Sequence, residues 1–221
     1  MDLQIQSDAH EHGRSRELFL LYLAVNRIFW GMAATFAYVY LRFLIELAPV
    51  PLMRYVFIVP ASVILVSAAM IPSGIFACPR WNRLVAVIRG SAAAAFLLSP
   101  FWTWWNSAPD SAYCTANMIL LCGASLLFMN LLNSCVIFLS GELGFGWTMA
   151  LAKCARFALI YLSLPCLVAF AMLVAAGRYP GSVIVQMVAM MEPWKIIICL
   201  LPAFMALAAL ATGKRRPEQA I

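Results

Sequence analysis

Charge is scarce in this chain. Of its 221 residues only 11% are Asp, Glu, Lys or Arg, while 65% are hydrophobic. A soluble domain carries about 25% charge and about 45–50% apolar residues. The mean hydropathy is +0.91. A water-soluble fold of this length has no interior large enough to hide so much apolar surface. That excludes an ordinary soluble enzyme, a disordered chain, a collagen-like fibre and a disulfide-stapled secreted module. A polytopic membrane protein remains.

Histidine is nearly missing: the chain has two, His10 and His12, both in a polar N-terminal stretch. This excludes bis-histidine haem ligation, a histidine proton relay or a Ser–His protease site inside the membrane. The His10-Glu11-His12 spacing does not put both rings on one helix face. Carboxylates are few, and Glu46, Asp110, Glu142 and Glu192 all fall at the ends of apolar runs. Transport driven by acids buried at mid-bilayer therefore loses support. No G-x-S-x-G elbow or phosphate-binding glycine loop occurs. The seven cysteines (78, 114, 122, 135, 154, 166 and 199) include no C-x-x-C pair, and the spacing suits small apolar packing residues, not zinc or a disulfide framework. No cofactor and no metal are expected. A lipid-modifying enzyme would need a mechanism without histidine or paired acids, so an enzyme is not the expectation.

The chain does have long uncharged runs. A spanning helix needs about 20 mostly apolar residues. Residues 55–79, 90–109, 111–141, 157–177 and 196–213 carry no charge, and 18–41 carries only Arg27. With Pro, Gly and Ser punctuation between them, these runs predict six spans, at about 17–47, 55–77, 84–105, 114–139, 157–177 and 195–213. The expected fold class is all-α, a polytopic six-transmembrane-helix bundle with one or two short interfacial helices at 143–156 and 182–191. The alternative is that these two segments extend their neighbouring spans. Residues 1–16 form a polar tail, 17–213 a single transmembrane domain and 214–221 a basic tail. In the first span, Arg27 and Arg42 are expected at opposite interfaces, both snorkelling.

The excess of 15 Lys+Arg over 9 Asp+Glu is scattered along the apolar runs, so it suits orientation in a bilayer and not a nucleic-acid partner. Arg14, Arg16, Arg27, Arg80, Arg83, Arg89, Lys153, Arg156, Lys214, Arg215 and Arg216 fall on one side. Arg42, Arg54, Arg178 and Lys195 fall on the other. The positive-inside rule then places both termini in the cytoplasm, in a cell membrane of the bacterial inner-membrane kind. Trp102, Trp104, Trp105, Trp81, Tyr113, Tyr179 and Trp194 flank spans and read as an interfacial aromatic belt. Pro60, Pro72, Pro100, Pro165 and Pro202 lie within apolar runs and predict kinks. No inverted repeat is visible.

One set of residues can do chemistry. Arg27, Arg89, Lys153 and Arg156 lie toward the cytoplasmic leaflet, with Asn130 and Asn133 at similar depth and on one helix face. Together they predict a basic, cytoplasm-facing pocket for an anionic headgroup or a phosphate- or carboxylate-bearing solute; the plain alternative is that the cations are snorkelling anchors. Small-residue faces at Gly31/Ala33/Ala37, at 90–95 and at 122–125 predict close helix packing, within the chain or against partner subunits. In size, span count and loop length the chain is similar in outline to substrate-binding subunits of small-solute transporters, and equally to many other inner-membrane proteins. The expected function is a membrane component of a small-solute or lipid transport system. The alternative is a non-catalytic assembly or scaffold subunit of an envelope complex.

Overall fold

The computed structural model describes residues 2–45, 56–76, 78–108, 111–176 and 193–212. Among them all regular structure is helical: α1 (Asp2–Ile45), α2 (Ile58–Ala69), α3 (Pro79–Leu98), α4 (Pro100–Ser107), α5 (Ala112–Glu142), α6 (Gly146–Ala176) and α7 (Pro193–Thr212). Five stretches are long and apolar enough to cross a membrane: Ser15–Val39, Pro79–Trp105, Ala112–Glu142, Gly146–Met172 and Trp194–Thr212. The protein is thus a multi-pass, all-α membrane protein.

The helices pack in a ring. α1 meets α2, α2 meets α3, α3 meets α5, α5 meets α6, α6 meets α7, and α7 closes on α1. The interior is filled by Leu21, Val25 and Ile28 of α1, Trp81, Val85 and Ile88 of α3, Leu132, Val136 and Leu139 of α5, and Ala206 and Leu207 of α7. The outward faces are equally apolar. Val59, Val63 and Val66 of α2, Phe157, Ile160, Tyr161 and Leu164 of α6, and Ile198, Leu201 and Met205 of α7 are exposed at helical spacing. Hydrocarbon satisfies such faces and water does not. Lipid tails are as apolar as these side chains, so close van der Waals fit between helices has to supply the cohesion. Gly31 shows the fit: a Cβ there would lie 2.8 Å from Ile64 Cγ1 and 3.4 Å from the Pro60 carbonyl oxygen.

The second apolar run departs from expectation. Instead of one helix over 55–77, α2 has 12 residues, about 18 Å of rise, and gives way to irregular backbone at 70–76. Pro72 and Gly74 account for the break, since proline removes a donor and glycine gains nothing from helix. Even so, this segment runs the length of the bundle. At one end Phe57 packs on Tyr38 and Trp102, with ring centroids 6.2 and 5.7 Å away. At the other, Gly74 lies beside the Glu17 carboxylate, and Phe76 packs on Trp81 and Phe138 at 5.1 and 5.3 Å. α1 and α3 consequently run parallel, with α2 and 70–76 returning between them.

The third run starts earlier than 84, at Pro79, and breaks at Ser99, where Pro100 begins α4. Residues 146–156 are the opening turns of the 31-residue α6, so this stretch extends the neighbouring span and is not a separate interfacial helix. α5 turns into α6 at Gly144, whose φ of 72° is the left-handed conformation that glycine tolerates. The Phe145 N–H donates to the Ser140 carbonyl at 2.9 Å, which completes a Schellman cap. Residues 182–191 and 214–221 lie outside the described residues. Pro165 and Pro202 are inside helices as expected. Pro60 sits in the first turn of α2, where no intrahelical N–H bond is lost.

The aromatic belt is partly different as well. Trp104, Tyr113 and Trp194 are exposed, but Trp81 is fully buried. Among the six described cysteines, Cys135 is buried and Cys154 exposed, and none is in a disulfide.

Candidate functional site

Irregular backbone at membrane depth is tolerated only where protein or water takes up its polar groups. At 71 and 72 two carbonyls are taken up by side chains of α3, and Met70 is met by a side chain of α1. Arg89, about 15 Å along α3 from its first residue, donates through Nη2 to the Ile71 carbonyl at 2.6 Å. Trp81 donates through Nε1 to the Pro72 carbonyl at 3.0 Å. Arg27 of α1 points Nη1 at the Met70 sulfur, 3.4 Å away. The broken end of α2 is therefore clamped on three consecutive residues, 70, 71 and 72, by two guanidinium groups and an indole.

The electrostatics favour the clamp. The last carbonyls of a helix carry about half a negative charge, so cations at the end of α2 are well placed. The cations are not neutralised, however. Among the described residues neither Arg27 nor Arg89 has a carboxylate partner. A thioether is a weak acceptor, and Arg89 Nε is shut off from solvent without an acceptor. A charged side chain near the centre of a spanning helix costs about 2.5–3.5 kcal/mol on insertion scales, so two arginines at this depth are expensive to keep. Glu17, the carboxylate nearest along α1, approaches Gly74 and is ten residues, or about 15 Å of helix, from Arg27. Arg27 is exposed on the outward face of α1, near the middle of its apolar stretch Ser15–Val39.

The other expected site residues separate into different roles. Asn133 is buried and donates through Nδ2 to the Ala152 carbonyl, joining α5 to α6. Asn130, three residues earlier, donates at 3.1 Å to the Leu126 carbonyl of its own helix. Lys153 and Arg156 are exposed on the first turns of α6. Asn133 is brought to Ala152, next to Lys153, while Arg27 and Arg89 are brought to the neighbouring residues 70 and 71. Arg89 and Asn130 occupy corresponding positions on α3 and α5. Trp81 stacks on Phe138 at 5.4 Å, and the antiparallel helices carry each partner eight residues inward from there.

Sequence reasoning missed Trp81 as a clamp and Met70–Pro72 as the clamped segment. The available signal was Pro72-Ser73-Gly74, turn chemistry inside an uncharged run. The Arg89 acceptor had no signal, because a backbone carbonyl looks the same at every position.

Comparison with family models, with curated protein sequences and with solved structures finds no match for this chain.

Proposed function

We propose that the chain is a component of a cell-membrane transport system for a small solute or a lipid. It crosses a bacterial inner membrane six times, with α2 and 70–76 as the second crossing and both termini in the cytoplasm. One observation carries this reading: a short apolar helix that breaks into irregular backbone within the bundle, two of its carbonyls held by side chains of α3 and its Met70 met by Arg27 of α1. Discontinuous spans of this kind serve transporters as the place where solute is bound and access alternates. An inert scaffold has no use for the instability of a broken span, and a continuous helix would satisfy the same backbone at no cost in arginines.

Met70→Cys tests the reading, with the native cysteines replaced. A membrane-impermeant maleimide is applied to intact cells and to inverted vesicles. A working segment is labelled from both faces. Labelling from one face alone marks a static wall and sinks the transport reading. That outcome would favour the second reading, a scaffold subunit, for which the open small-residue face around Gly90 and Gly123 speaks: a Cβ at either meets nothing within 4 Å.

A further inference from the structure

The geometry points to an oxyanion site at the broken end of α2, with Arg89 as its shielded donor, Arg27 as its open one, and a phosphate group as the ligand chemistry. This rests on the transport reading and specifies what that site would take.

Charge is the first ground. Two guanidiniums converge on residues 70 and 71. The α2 C-terminus offsets about half a unit of that charge, and among the described residues no carboxylate pairs with either arginine, Glu17 reaching only as far as Gly74. The surplus repels cations, so the occupant is an anion. Unused donor capacity is the second ground. A guanidinium has five N–H donors in a planar fork that matches carboxylate and phosphate oxygens. Arg89 spends one on Ile71 and holds Nε in a dry environment without an acceptor. Arg27 has a single partner, a thioether.

Access is the third ground, and it argues for phosphate. Arg27 is exposed, on the same outward stripe of α1 as Trp30. Val66, one turn before Met70 on α2, is exposed too. An exposed guanidinium on an outward apolar face opens sideways onto the bilayer, where the abundant anion is the phosphate of a lipid headgroup. A free phosphate reaching the site from the aqueous side would use the same donors. An anion that took up Arg89 would compete with the Ile71 carbonyl, so occupancy and a tightly clamped segment would oppose each other.

The test uses the full chain in maltoside micelles, with melting temperature and native mass spectrometry as readouts. Three probes are added separately: phosphatidylglycerol, phosphatidylcholine and inorganic phosphate. The controls are Arg27→Gln, which alters an exposed residue and keeps the fold, Arg89→Lys, which keeps the charge but loses the fork, and Arg80→Gln, at the exposed start of α3. Phosphatidylglycerol is expected to raise the melting temperature of the parent chain and of Arg80→Gln, and to remain bound in the mass spectrum. Affinity should fall about tenfold in Arg27→Gln, the loss of one charge-assisted hydrogen bond. A response to inorganic phosphate but not to the lipid supports the site and assigns it to a free solute. The site is refuted by no response to either phosphate probe, by a phosphatidylcholine response equal to that of phosphatidylglycerol, or by an unchanged response in both arginine variants. The transport reading is judged separately, by maleimide labelling at position 70.

Discussion

A single indole shows how tightly the broken span is held. Trp81 is fully buried, stacks on Phe138 and caps the Pro72 carbonyl. Trp81→Phe keeps most of the packing but leaves that carbonyl without its donor, a loss of about 1–3 kcal/mol. Trp81→Ala adds a cavity and should cost about 3–5 kcal/mol. Reversible unfolding in mixed micelles measures both; equal stability of the two variants would mean that the hydrogen bond, not the packing, carries the effect. At this scale the sequence is legible on one side only. An arginine inside an apolar run announces that it needs a partner. That Arg89 finds a carbonyl 18 residues back in the chain, and that Asn133 goes to α6 while Asn130 stays on its own helix, follow from which faces meet.

Elements differ in the same way. Gly31, Gly90 and Gly123 sit in stretches of small residues that look alike in the sequence, but only Gly31 is pressed against a neighbour. Gly31→Leu forces α1 away from α2 and should cost about 1–3 kcal/mol by overpacking. Gly90→Ala and Gly123→Ala fill open space on a helix surface and should gain up to about 0.5–1 kcal/mol from helix propensity. Thermal unfolding of the three variants in one detergent orders them; a destabilised Gly123→Ala would show that a partner covers that face. The existence of each long helix was readable from its uncharged run. The breaks were only half readable: Pro100 and Pro72 both end helices, while Pro165 and Pro202 are absorbed within theirs. Whether a proline breaks a helix depends on what neighbouring groups can do for the freed carbonyls.

For the whole molecule, the proposed six crossings predict that reporters fused before Met1 and after Ile221 read out on the same, cytoplasmic face. An external signal from the C-terminal fusion alone would mean that α2 and 70–76 turn back instead of crossing. Composition already decides that this chain lives in lipid, since 65% hydrophobic residues leave no aqueous alternative, and the lengths of the uncharged runs decide that it is helical, because a helix satisfies its own backbone in hydrocarbon. These are one-dimensional properties, set by local content alone. The ring order of the helices, the burial of Trp81 and the meeting of Arg27 and Arg89 on adjacent residues depend on contacts between distant parts of the chain. Nothing in a local window encodes which two faces will touch, so these features emerge only once the helices are packed.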